Sequence, residues 1–157
     1  MATSLQNLSN YDEKSVPSGK GKKIGIAVAE WNKHITFSLL NGCVETLKQF
    51  EVSENDIEVI VVPGTFELPH AAKQLNDKNK DAVICIGCVI KGETDHDIYI
   101  NQSVANALQQ LNIQYNIPFI FGVLTPNNEQ QALDRAGGKH GNKGTEAAIT
   151  ALKMMNI

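Results

Sequence analysis

The stretch Ala82-Val-Ile-Cys-Ile-Gly-Cys-Val-Ile-Lys-Gly-Glu-Thr-Asp-His96 decides how the rest of the chain is read. An apolar run, 82–90, breaks into a short glycine-containing loop that holds Lys91, Thr94 and His96. A second segment then begins, with Val104, Leu108, Leu111 and Tyr115 at helical spacing. A strand that empties polar groups at the mouth of a helix is a common way for α/β proteins to build a ligand site. Function is therefore sought first at this loop.

The same grammar repeats on either side. Residues 24–29 read as a small apolar strand, and Glu30-Trp31-Asn32 as the turn that follows it. A helix over about 35–50 carries Leu39, Leu40, Cys43, Val44 and Leu47 on one face. Residues 57–62 form the next strand, stopped by Pro63-Gly64, and a helix over about 66–75 tolerates Pro69 only in its first turn. Beyond the central stretch, 118–125 is a fourth strand, and Pro126-Asn-Asn-Glu129 opens a further helix. That helix is interrupted by the glycine- and lysine-rich 137–144 before a last one reaches Met155. Alternating strands and helices predict a three-layer α/β/α domain, its four-stranded parallel sheet covered on both faces. Crossovers should be right-handed, while strand order is not legible in one sequence. Residues 1–23 lack periodicity and are rich in Ser, Asn, Lys and Gly. They read as a flexible or partner-dependent arm ahead of a single domain over 24–157.

Composition narrows the classes. A chain of 157 residues, 42% hydrophobic and 20% charged, suits one soluble domain with a proper core. The net charge of −3 gives no reason to expect nucleic acid or an anionic membrane as partner. No run approaches the ~18 apolar residues of a membrane span, and the polar N-terminus predicts no signal peptide. The three cysteines suggest reduced thiols in a cytoplasmic setting. Cys85 and Cys88 have C-x-x-C spacing, but residues three apart in a strand face opposite sides, so buried structural thiols are expected. His34, His70, His96 and His140 are not spaced as ligands of one metal, and none is predicted.

In a parallel sheet the strand-to-helix loops gather at the carboxyl ends of the strands. The unusual residues lie on those loops. Trp31, the only tryptophan, could cap the core or offer a flat surface for a planar heterocycle. Glu67 follows Pro63-Gly-Thr-Phe66, where a carboxylate suits a helix dipole and could also hold hydroxyls or a uracil-like edge. Thr94 and Asp97 have capping-box spacing. Free amides at that helix start could equally bind phosphate, although Glu93 and Asp95 would then call for a cation from elsewhere. His96, in the first turn, is the best candidate for proton transfer: the positive end of a helix disfavours an imidazolium, and a neutral imidazole can serve as general base. Arg135, among the lysines of the glycine-rich break, is either solvated or a bidentate phosphate partner.

Together these residues resemble the lumazine synthase family. The pieces that carry the resemblance are Pro63-Gly-Thr-Phe-Glu-Leu-Pro69, Gly87-Cys-Val-Ile-Lys-Gly-Glu-Thr-Asp-His96, Phe119-Ile-Phe-Gly-Val-Leu-Thr125 and Asp134-Arg-Ala-Gly-Gly-Lys-His-Gly-Asn-Lys-Gly144. The resemblance runs over 24–157 and implies a flavodoxin-like fold. It implies condensation of 5-amino-6-(D-ribitylamino)uracil with 3,4-dihydroxy-2-butanone 4-phosphate to 6,7-dimethyl-8-ribityllumazine, phosphate and water, with no cofactor. By the matching positions, Trp31 stacks on the pyrimidine with Asn32 beside it, and Thr65, Phe66 and Glu67 hold the ribityl chain. Val89 and Ile90 offer backbone to the uracil, Gly92, Glu93 and Thr94 cradle the phosphate with Arg135, and His96 shuttles protons. The resemblance further implies a homopentamer with sites between subunits, so that Phe121, Arg135 and Lys143 come from the adjacent chain. A sixty-subunit icosahedral shell is the expected assembly, with room for a riboflavin synthase partner. Three positions depart from the family pattern: Trp31 stands where phenylalanine is common, Lys91 where arginine is frequent, and Asp97-Ile98 where an aromatic and then an acid usually follow the histidine. A non-catalytic nucleotide-binding module is the rival on fold pattern alone, but no G-x-G-x-x-G follows the first strand. A flavin-binding or shell protein without turnover is the other rival.

Overall fold

A computed structural model of the chain describes residue 7 and residues 9–157. The chain alternates β1 (Ile24–Ala29), α1 (Lys33–Gln49), β2 (Ile57–Val62), α2 (Leu68–Asn76), β3 (Ala82–Cys88), α3 (His96–Gln114) and β4 (Phe119–Leu124). After β4 come α4 (Glu129–Asp134), β5 (Ala136–Gly138), β6 (Gly141–Asn142) and α5 (Lys143–Met154). Strands β1 to β4 form one parallel sheet in the order β2-β1-β3-β4. The sheet is the parallel α/β arrangement that the alternation predicts, and it is flavodoxin-like as the resemblance implies.

Two apolar layers cover it. Ile24, Ile26, Val28, Ile84 and Ile86 point to one face and pack with α1 and α5, through residues such as Leu39, Leu47 and Leu152. Ala27, Val83, Cys85, Phe119 and Val123 point to the other and pack with α2 and α3. Because both faces are covered, β1 and β3 are buried along their whole lengths. The period of two also separates Cys85 from Cys88, which lie in opposite layers. Burial pushes both thiols up to about 12 and Cys43 higher still, because a thiolate loses its hydration in an apolar layer.

Several local readings need correction. The helix expected from Phe66 begins at Leu68, after a single 3₁₀ turn over Thr65–Glu67, which puts Pro69 in the first helical turn where its missing amide costs nothing. The capping box does not form: Asp95 occupies the N-cap of α3 and no side chain caps it. The glycine-rich break is not a mere interruption. It folds as the β5–β6 hairpin, with Gly137 and Gly141 at φ of 105° and 83°, conformations that favour glycine. Asn142 then accepts from the Gly144 and Thr145 amides and starts α5. Gly144 is required for a different reason. A Cβ there would sit 1.8 Å from the Leu39 carbonyl oxygen, so only glycine lets α5 close on α1.

Of the expected arm, residues 1–6 and 8 lie outside the described residues. Its remainder runs along α1 and α5. Ser9 Oγ lies 3.0 Å from the Asn142 carbonyl, Tyr11 meets the Phe50 ring at 6.1 Å between centroids, Val16 is buried, and the Gly19 amide donates to Phe50.

Candidate active site

The chain leaves β1 to build β2 on one side of the sheet, then returns to place β3 on the other side of β1. The loops after β1 and β3 therefore part toward opposite faces, and a crevice opens at this switch point. The structure has a cleft there of about 760 Å³, within the size range of small-molecule sites. Trp31 and Asn32 of the β1 loop form one wall, and Pro63 to Glu67 after β2 form the next. Cys88 to Ile90, Gly92 and Thr94 form the floor and rim after β3, and His96, Asp97, Tyr99 and Ile100 line the start of α3.

Backbone bonds that extend the sheet hold these walls. Glu30 donates its amide to Val62 (2.7 Å) and Trp31 to Pro63 (3.0 Å), which ties the β1 loop to the exit of β2. Val89 donates to Leu124 (2.9 Å) and Lys91 to Pro126 (3.0 Å), which carries the β3–β4 ladder beyond the strands. The Val89 carbonyl and the Ile90 amide have no intrachain partner among the described residues. Thr65 is buried against Gly87, where a Cβ would come within 2.7 Å of its Oγ1. Glu67 is exposed, with Oε2 over Gly64. Trp31 is 73% exposed and Phe66 59%, an unusual display of aromatic surface for a single chain.

Ten of the predicted site residues thus share one cleft: Trp31, Asn32, Thr65, Phe66, Glu67, Val89, Ile90, Gly92, Thr94 and His96. Four do not line it. Glu93 is exposed between Gly92 and Thr94, which do face the cleft, so no carboxylate is directed into the expected phosphate cradle by that residue. Phe121 is part-exposed on β4, the edge strand. Arg135 and Lys143 meet instead at Glu146. The guanidinium grips that carboxylate bidentately at 2.7 and 3.0 Å and also donates to the His140 carbonyl, while Lys143 Nζ lies 3.4 Å from Oε2. Among the described residues no lysine or arginine lines the cleft, whereas Glu67 and Asp97 do. Cys88, Tyr99 and Ile100 were not foreseen as lining residues. For the last two a signal existed: at three and four residues from His96 they share its helix face.

The fold and the cleft define an α/β protein with a cleft of small-molecule size at the carboxyl ends of its strands, rich in aromatic surface and backbone groups and, among the described residues, lined by no cation. The sequence profile described as 6,7-dimethyl-8-ribityllumazine synthase matches residues 21–157. Proteins of that name are similar along most or all of the chain. That of Porphyromonas gingivalis is 55% identical over 100% of this chain and 98% of its own. That of Parabacteroides distasonis is 53% identical over 100% and 99%, and that of Bacteroides fragilis 51% over 86% and 95%. The chain belongs to the 6,7-dimethyl-8-ribityllumazine synthase family, and so is an enzyme, a transferase of riboflavin biosynthesis.

Proposed function

We propose that this chain condenses 5-amino-6-(D-ribitylamino)uracil with 3,4-dihydroxy-2-butanone 4-phosphate, releasing 6,7-dimethyl-8-ribityllumazine, phosphate and water. The observation that carries the reading is the single cleft shared by the exposed Trp31 ring, the unpaired backbone groups of Val89 and Ile90, and His96 in the first turn of α3. The uracil stacks on Trp31 and is read by the Val89 carbonyl and the Ile90 amide. Thr65, Phe66 and Glu67 take the ribityl chain, and the backbone around Gly92 and Thr94 takes the phosphate.

The 5-amino group adds to the ketone carbonyl, and loss of water leaves an imine. Removal of a proton from the adjoining carbon sends electrons toward C4 and expels phosphate. The enol left at C3 then ketonises, its C4 taking a proton to become a methyl group, and the ribityl-bearing nitrogen attacks the new C3 carbonyl; loss of a second water gives the closed ring. His96 moves the protons. Positioning does most of the work, since orienting two reactants is worth ~7–11 kcal/mol, while a general acid–base adds about 10²–10⁴-fold.

A dianionic phosphate beside Asp97 needs a cation that the chain's own cleft does not offer. A neighbouring copy supplies it as Arg135 with Lys143, and Phe121 comes from the same copy, within a homopentamer of a sixty-subunit cytoplasmic shell. Exposed Val59, Val61 and Ile113 support burial against further copies. The test mixes both substrates with the protein and follows lumazine absorbance and fluorescence. Tight flavin binding without turnover would replace this reading with a carrier. Arg135→Ala should mainly raise KM for the phosphate substrate; unchanged kinetics in that substrate would remove the phosphate assignment.

A further inference from the structure

Asn32 breaks the usual habits of its position. It stands at the N-cap of α1, where asparagine normally bonds the helix's own free amides. Here its side chain makes no capping bond, and its backbone lies in the left-handed region at φ 59°, ψ 44°. That region strains most residues and is tolerated by asparagine and glycine. The consequence is directional: the side chain crosses the sheet edge, and Nδ2 donates to the Cys88 carbonyl at 3.0 Å.

The bond fills a specific gap. The β1–β3 ladder ends at the pair Val28 and Ile86. The next amides of the β1 loop, those of Glu30 and Trp31, turn the other way and bond the exit of β2. Nothing else described in the backbone joins the β1 loop to the exit of β3, where the sheet's two halves diverge. Among the described residues Trp31 has no aromatic or cation–π neighbour to orient its ring, so its direction depends on the backbone on either side of it. On one side that backbone is held to Pro63, and on the other it is held by Asn32 to Cys88.

We infer that Asn32 is a positioning residue: its left-handed backbone and its bond to Cys88 fix the Trp31 ring against the Cys88–Ile90 backbone, and its side-chain amide is not itself a substrate ligand. The inference goes beyond the resemblance, which places Asn32 on the substrate, and its kinetic consequence rests on the proposed condensation.

Trp31 is the only tryptophan, so fluorescence excited on the red edge, beyond tyrosine absorption, reports this site alone. Asn32→Gly keeps the backbone conformation and removes the bond. Asn32→Asp keeps a residue suited to the N-cap and replaces the donor with a carboxylate facing a carbonyl. In substrate-free protein both variants should lower the Trp31 fluorescence anisotropy. In the assay both should raise KM for the uracil substrate about tenfold, the weight of one part-buried hydrogen bond, with kcat held within about threefold. Wild-type anisotropy and KM in Asn32→Gly would overturn the inference. So would a raised KM with unchanged anisotropy, which would make the amide a direct ligand. Absence of lumazine formation in the wild-type protein would defeat the condensation reading instead, and the anisotropy comparison would still decide the role of Asn32.

Discussion

At the scale of single residues the proposed reaction divides labour between groups that hold the substrates and one group that moves protons. His96 is the first residue of α3 and the only imidazole lining the cleft among the described residues. Its removal costs the acid–base contribution and leaves the orientation of the reactants intact. His96→Ala is therefore expected to lower kcat by about 10²–10⁴-fold while turnover stays measurable in a long time course. Complete loss with intact substrate binding would give His96 a larger role than proton shuttling. The cysteines are expected to be inert. With Cys85 and Cys88 pushed up to about 12 by burial, and Cys43 raised further, almost no thiolate exists below that pH. Iodoacetamide at pH 8 should leave the folded protein unlabelled and modify all three cysteines in urea, read by intact mass.

Among the elements, α1 and α5 are the pair whose contact the rest of that face depends on. Gly144 sits at the first turn of α5 against the Leu39 carbonyl of α1, with 1.8 Å between that oxygen and where a Cβ would stand. No rotamer relieves a clash with backbone, so Gly144→Ala must push the helices apart. A loss of about 3 kcal/mol or more is expected, at or above the usual upper range for overpacking, as a lower midpoint in urea unfolding. The shift of α5 should also disturb Glu146, and with it the bidentate grip on Arg135. Glu146→Gln separates the two effects. It should lower the unfolding midpoint less than Gly144→Ala does and raise KM for the phosphate substrate, since it loosens Arg135 without moving a helix.

For the whole molecule, the arrangement of charge is the informative feature. The cleft of one chain holds His96 and acidic groups, while Arg135 and Lys143 are gathered at Glu146 outside it. If the site closes only between copies, variants damaged on opposite sides should complement. Arg135→Ala, assayed with the phosphate substrate far below its raised KM, is mixed with weakly active His96→Ala; dissociated and reassembled together, they should regain up to about a quarter of wild-type sites at equal mixing, because random pairing leaves that fraction with both residues intact. No recovery would put both residues in one chain's site. Light scattering that shows only a species near five chains would leave the pentamer and remove the shell.

Much of this is legible in the sequence alone. The runs at 24–29, 57–62, 82–90 and 118–125, each followed by a helical period, were enough for a parallel sheet with its loops gathered at one end, because burial on both faces forces unbroken apolar strands. Trp31, Glu67 and His96 stood out because polar or aromatic residues just after such strands have few structural reasons to be there. Other features depend on contacts between distant parts of the chain and could not be read. The strand order, with its switch between β1 and β3, comes from which edges pair. The 137–144 hairpin comes from glycines whose positive φ is visible only once folded. The contacts of Tyr11 and Val16 come from apolar surface offered by α1 and α5. Asn32 shows the division most clearly. Its sequence position says helix cap, and local chemistry would have it so. Tertiary structure turned its side chain to Cys88 instead, because at a switch point the sheet's own amides run out and a carbonyl on the far side still needs a donor.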